Sequence, residues 1–88
     1  MAWRVEVAPR AARTLATLDR PIQARIRRFM ADRLETDDDP RRLGHSLSGS
    51  LAGLWRYRIG DYRLICHIED GRCVVLVLEV GHRREVYR

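Results

Sequence analysis

Two turn signals, Gly60-Asp61 and Asp70-Gly71, cut the apolar stretch between Leu54 and Val80 into three strands joined by hairpins. Gly in the first central position of a two-residue loop is what a type II′ turn requires, because that position needs a positive φ. Asp-Gly is the corresponding signal for a type I′ turn. The last run, Cys73 to Val80, is almost wholly apolar, which predicts a strand buried on both faces. A chain whose second half is a three-stranded meander leaves its first half one main task, to cover a face of that sheet.

The first half has the pattern for it. Trp3, Val5 and Val7 alternate with Arg4 and Glu6, a period of two that reads as a further strand. Pro9 suits a first helical turn, and Ala11, Ala12, Leu15 and Leu18 follow at helical spacing. Pro21 opens a second helix whose apolar stripe is Ile22, Ile26, Phe29, Met30 and Leu34. Arg25, Arg27, Arg28 and Arg33 cover the rest of it and read as a solvated face. Asp37, Asp38, Asp39 and Pro40 end the helix, since carboxylates there oppose its dipole and proline cannot continue the ladder. No further ligand comes at a spacing that would make them a metal site. Residues 41–53 read as an irregular connection that Leu47, Leu51 and Leu54 pin to the core. The predicted fold is α+β in the order β-α-α-β-β-β: a small antiparallel sheet with the two N-terminal helices packed on one face. Residues 1–88 form a single domain, with no room for a second core.

The net charge is +5, and arginine supplies all 17 basic side chains; the chain has no lysine. A basic excess points to a polyanionic partner such as nucleic acid, an acidic protein or a membrane surface. Arginine grips phosphate with a planar two-bonded fork, whereas lysine offers a point charge. Codon bias in a GC-rich genome is another source of the missing lysine, but it does not determine where the arginines fall. No apolar run approaches the roughly 20 residues of a membrane span. The start lacks the apolar stretch and cleavage site of a signal peptide. Cys66 and Cys73 show no metal-ligand spacing and read as packing thiols of a reducing compartment. The expectation is a cytoplasmic protein with no membrane partner.

Hairpin register turns the pattern into geometry. A two-residue loop at Gly60-Asp61 pairs Ile59 with Tyr62, Arg58 with Arg63, Tyr57 with Leu64 and Arg56 with Ile65. Because side chains alternate, Trp55, Tyr57, Ile59, Leu64 and Cys66 share the core face, and Arg56, Arg58 and Arg63 share the other. Arg58 and Arg63 then stand directly opposite each other. Like charges in that position cost roughly 0.2–1 kcal/mol, a cost that a bound anion, Asp61 or Glu79 would offset. His67 is expected on a mostly apolar face, as a structural histidine. A second two-residue turn at Asp70-Gly71 would pair Arg63 with Leu78 and Tyr62 with Glu79. The tail, His82 to Arg88, would then leave the sheet at its arginine-rich end, the convergence that a phosphodiester site needs.

At these residues the chain resembles the RelE/ParE toxin superfamily, and its RelE branch in particular. The likeness lies in Leu47-Ser48-Gly49, in the stretch from Leu54 to Leu64, and in the ending Gly81-His82-Arg83-Arg84-Glu85-Val86-Tyr87; it spans essentially the whole chain. The resemblance implies cleavage of mRNA in the ribosomal A site, with no cofactor. It also implies an acidic cognate antitoxin as partner. The family's two basic strand residues, usually lysines, fall at Arg56 and Arg58, its arginine after the hairpin at Arg63, its tail arginine at Arg83 and its near-terminal tyrosine at Tyr87. Ser48 stands where a basic residue is common, and the tail between Gly81 and Tyr87 is short.

Attack of an RNA 2′-hydroxyl on the adjacent phosphate needs no metal. Arg63 and Arg83 are the candidates for contacting the non-bridging oxygens, where fixed positive charge counts most. Arg56, Arg58 and Arg84 are candidates for holding RNA. Arginine stays protonated, so none of these can act as a base. Tyr87, whose phenolate neighbouring arginines would favour, and His82 remain for proton transfer. Two other readings fit the same residues: a ParE-like toxin that inhibits DNA gyrase without cutting RNA, and a non-catalytic module that binds RNA or the ribosome through the same basic face.

Overall fold

The computed structural model, which describes residues 2–82, builds the chain around a five-stranded mixed sheet. The elements are β1 (Arg4–Val7), α1 (Pro9–Thr17), α2 (Arg20–Phe29), a short β2 (His45–Ser46), β3 (Trp55–Ile59), β4 (Tyr62–Glu69) and β5 (Val74–His82). In space the strands lie in the order β1-β5-β4-β3-β2. The α+β class, and both helices packed on one face, follow the sequence pattern. β1, however, runs parallel to β5, with Val5 opposite Val75 and Val7 opposite Val77, so the sheet is mixed rather than antiparallel. No turn joins these partners, and so no local signal announces their pairing. The outer edge of β1 is capped: Trp3 N donates to Thr36 O at 2.8 Å and Val5 N to the Glu35 carboxylate at 3.1 Å. At the far edge β2 pairs only with Trp55 and Arg56, leaving β3 without a strand neighbour beyond them among the described residues.

Neither helix has a side-chain cap at its N-terminus, so each depends on burying its apolar stripe. Ala11 and Leu15 of α1 and Ile26 of α2 are buried against Tyr57, Leu64, Cys66, Val75 and Val77. A wider π turn, Met30–Leu34, continues α2, with Glu35 N donating to Met30 O at 3.0 Å. Every fourth residue of a regular α-helix drifts by about 40°. The wider turn offsets that drift, and Leu34 stays buried in line with Ile26 and Met30.

Residues 41–53 prove less irregular than expected, holding β2 and short 3₁₀ turns at Pro40–Leu43 and Gly49–Leu51. Leu43 packs on the core, while Leu47, Leu51 and Leu54 are half-buried. The stronger anchor is Tyr57. Its ring is fully buried 5.9 Å from that of Phe29, and its hydroxyl donates to Pro40 O at 2.9 Å. Burial pushes this phenol far above the ordinary tyrosine range, so it serves as a neutral donor. A Cβ at Gly44 would meet the Tyr57 ring at 3.0 Å and Arg56 O at 3.1 Å, which keeps that position small.

The β4–β5 connection departs from the expected two-residue turn. One 3₁₀ turn, Asp70–Arg72, is closed by Cys73 at φ 52°, and Glu69 pairs with Val74. A bulge between Ile65 and Cys66 then shifts the register again, so that Ile65 faces Glu79 while Cys66 faces Val77. Arg63 therefore pairs with Gly81 and Tyr62 with His82, not with Leu78 and Glu79. Ion pairs secure this end of the sheet. Arg41 makes a two-bonded contact with Asp70 at 2.7 and 3.0 Å, and Arg72 meets Glu69 at 2.7 Å and Glu6 at 3.1 Å. Among the described residues no helix is long and apolar enough to cross a membrane.

Tyr57→Phe keeps the ring but strands the Pro40 carbonyl. It should lower the urea-unfolding free energy by about 1–3 kcal/mol, and Tyr57→Ala should lower it further by adding a cavity. The hydrogen bonds from Arg41 hold the Asp70 carboxyl below its usual range. A lowered folded pKa stabilises the fold above the unfolded value, and that contribution is lost as pH falls through the folded one. Asp70→Asn should thus lower the melting temperature at neutral pH, and the gap to wild type should shrink below about pH 3.9.

Candidate functional site

The β3–β4 hairpin forms as its turn residues dictate. Gly60 takes φ +59° and Asp61 does not have a positive φ, as a type II′ turn demands. The pairs are Ile59–Tyr62, Arg58–Arg63, Tyr57–Leu64 and Arg56–Ile65. Tyr57, Ile59, Leu64 and Cys66 accordingly face the helices, and Arg56, Arg58 and Arg63 share the opposite face.

The three arginines differ in setting. Arg58 is exposed, Arg56 half-buried and Arg63 only 6 % exposed, on the central strand. Arg63 Nη1 donates to Tyr62 O at 3.1 Å and to Gly60 O at 3.3 Å, so its guanidinium is fastened to the carbonyls of the turn. This anchoring turns Arg63 toward the end of the hairpin and eases the direct opposition of two cations. From the helix side, Arg25 packs over the same turn: a Cβ on Gly60 would lie 2.9 Å from Arg25 Nη1. Glu79, across from Ile65, pairs with Arg10 at 3.3 Å. His67 is exposed, on the face that carries Arg63 and the buried Ile65, and pairs with Leu76.

The revised β4–β5 register brings the end of β5 closer to the site. With Gly81 opposite Arg63 and His82 opposite Tyr62, the chain reaches residue 82 directly beside the hairpin turn. The His82 ring packs edge-on against Tyr62, at 5.7 Å and 83°. Paired residues point to the same face, so His82 lies on the helix side of the sheet, across from Arg63. Arg83, Arg84 and Tyr87 lie outside the described residues.

Arg25, Arg28 and Arg33, read from sequence as solvated, have a more specific setting. With Arg58 they line an open cleft of about 500 Å³ between α2 and the hairpin turn, alongside Phe29, Leu43 and Ile59. Their position next to the Ile26–Phe29 stripe marks them as flanking the packed face, but only the fold shows what they flank. Among the described residues no three His, Cys, Asp or Glu side chains gather as a metal site would require. Asp39 instead caps the 3₁₀ turn by accepting from Arg41 N at 2.9 Å, and Asp38 meets Arg42 at 3.5 Å.

Comparison with known proteins gives this arrangement its family. Residues 5–87 match the family model described as the ParE toxin of the type II toxin-antitoxin system parDE. Over 88 residues, all of this chain and 99% of the relative, it is 35% identical to toxin RelG of Mycobacterium tuberculosis. The chain belongs to the RelE/ParE superfamily of type II toxins. The toxin is also 35% identical over 86 residues to toxin RelE of the same organism, covering 98% of this chain and 87% of the relative. Its fold superposes with TM-score 0.85 on a chain in the crystal structure of the RelBE2 toxin–antitoxin complex from M. tuberculosis, at 34% identity, covering 94% of this chain and all of that one.

Gly60→Ala should cost the toxin about 1–2 kcal/mol, the penalty for a side chain at positive φ. The Arg25 contact adds little to this, because the far end of a flexible side chain can move aside. A double-mutant cycle with Arg25→Ala, read by thermal unfolding, should therefore leave most of the loss in place.

Proposed function

We propose that this toxin is a ribosome-dependent mRNA endonuclease acting in the A site, without a metal or other cofactor. The observation that carries the reading is the register that sets Arg56, Arg58 and Arg63 on one face and delivers the end of β5 opposite Arg63. A cationic face at the root of the tail segment Arg83–Tyr87 suits a phosphodiester.

In this mechanism the 2′-oxygen attacks phosphorus, its proton passes to the Tyr87 phenolate, and the bond to the 5′-oxygen breaks. The products are a cyclic 2′,3′-phosphate and a 5′-hydroxyl. Arg63 and Arg83 stabilise the charge that develops on the non-bridging oxygens. Arg63 suits that role because its contacts to the turn carbonyls fix it in advance, and preorganised charge is worth most in the transition state. Arg56, Arg58 and Arg84 hold the strand. The leaving 5′-oxygen takes its proton from the His82 imidazolium or from solvent water, and the Tyr87 phenol returns its proton to solvent, which restores both groups; the edge-on contact with Tyr62 orients the His82 ring. An acidic cognate antitoxin neutralises this basic toxin in the cytoplasm, a reading supported by the net charge of +5 and by the relative crystallised as a toxin–antitoxin complex.

A second reading, inhibition of DNA gyrase without RNA cleavage, has one observation in its favour: the family model that matches is described for ParE toxins. Primer extension on ribosome-engaged mRNA after induction should show discrete cuts while gyrase supercoiling proceeds normally; intact mRNA with blocked supercoiling would reverse the assignment. Salt-sensitive RNA binding with neither effect would indicate a binding module. Arg83→Ala and Arg58→Ala should each abolish growth arrest with melting temperatures near wild type. Full toxicity in either variant would remove that residue from the site.

A further inference from the structure

We propose that the cleft between α2 and the β3–β4 turn is a second RNA site, which holds single-stranded RNA flanking the phosphodiester on the arginine face. The inference rests on the mRNA-cleaving reading and adds Arg25, Arg28 and Arg33 to the Arg58 that reading already uses.

The cleft is cationic beyond any structural need. Arg25, Arg28, Arg33 and Arg58 are all exposed on its lining, against one carboxylate, Asp32. The ion pairs among the described residues engage Arg4, Arg10, Arg41, Arg42 and Arg72, and none of these four. The core does not use them either, since α2 packs through Ile26, with Ile22 and Phe29 beside it. Four cations crowded at one rim repel one another, and an anion relieves that repulsion.

Its shape and position favour a nucleic acid strand. Arg58 lines the cleft and also belongs to the sheet face with Arg63, so the two cationic surfaces meet at one residue. They meet where the outer edge of β3 has no strand neighbour among the described residues, which gives a strand a way round that edge. Arg25 and Arg33 lie about 12 Å apart along the helix axis, enough to engage more than one phosphate. Phe29 and Leu43 supply an apolar floor, and about 500 Å³ suits a nucleobase with its sugar. An amphipathic helix about 10–12 Å across needs a longer apolar groove than this, so an acidic helical partner fits less well.

The test is binding of the full-length toxin to uncleavable 2′-O-methyl RNA, followed by fluorescence anisotropy across a salt series. Oligonucleotides of about 12 and about 3 nucleotides separate a strand long enough to reach the cleft from one that fills only the sheet face. Arg28→Gln/Arg33→Gln should bind the longer RNA at least tenfold more weakly at low salt. Its log–log salt slope should fall by about 1.4, two phosphate contacts at roughly 0.7 each, while the shorter RNA binds as to wild type. Arg28→Lys/Arg33→Lys should restore most of the slope, which a folding defect would not allow.

Unchanged affinity and slope for the longer RNA would overturn the cleft site and leave the nuclease reading intact. The same result combined with lost affinity for the acidic antitoxin would assign the cleft to that protein instead. Wild-type toxin that binds both RNAs in this pattern but cuts no ribosome-engaged mRNA would keep the cleft site and sink the nuclease reading.

Discussion

The arginine face exists because Gly60 takes a positive φ. That conformation closes a two-residue loop, and the loop sets Arg58 opposite Arg63 and Tyr57 opposite Leu64. A slip of one residue would turn every side chain of one strand to the other face. Guanidinium groups would then enter the core and Tyr57 would leave it. Burial independently favours the same register: Tyr57 and Leu64 are fully buried under the helices, and an unpaired charge in their place would be prohibitively costly. Turn chemistry and hydrophobic packing agree, which makes this hairpin the fixed point from which the rest of the site can be placed.

Legibility in the sequence follows the range of the deciding interaction. Gly60-Asp61 is a local signal, and every pair expected from it forms. The helical stripes were readable for the same reason, down to Leu34, except at Ala12, which is exposed. Asp70-Gly71 is as strong a dipeptide, yet the chain makes a 3₁₀ turn there and assigns the left-handed conformation to Cys73. Nothing about a cysteine advertises positive φ. The bulge beside Ile65 is likewise silent, because both Leu78 and Glu79 tolerate half-burial there. Parallel pairing of β1 with β5 is decided by the whole chain rather than by any part of it. Of the site, the shared face of Arg56, Arg58 and Arg63 was legible; the side of the sheet taken by His82, and the partner surface of Arg25, Arg28 and Arg33, required the tertiary fold.

Charge is sorted along the molecule. Carboxylates meet arginines around the β4–β5 turn, where Arg41 and Arg72 tie Asp70, Glu69 and Glu6 together and hold distant segments in place. At the opposite end, Arg63 donates to backbone carbonyls and Arg25 rests over Gly60. Carbonyl dipoles orient a guanidinium without cancelling its charge. One end of the sheet therefore uses arginine to tie segments together through carboxylates, and the other sets guanidinium groups against the backbone of the hairpin turn.

An all-arginine site has a chemical consequence. Lysine could lose its proton near neutrality if sufficiently perturbed, but arginine cannot. Arg56, Arg58 and Arg63 can stabilise negative charge and hold phosphate, and they cannot begin the reaction by taking a proton. In Arg63 one guanidinium nitrogen donates to both turn carbonyls, and the planar group holds its other donors in a fixed relation to that anchor. The arrangement supplies a rigid electrostatic platform and leaves proton transfer to a separate group. In the proposed cleavage that group is the Tyr87 phenolate, and the pairing of Gly81 with Arg63 brings the end of β5 to the platform's edge.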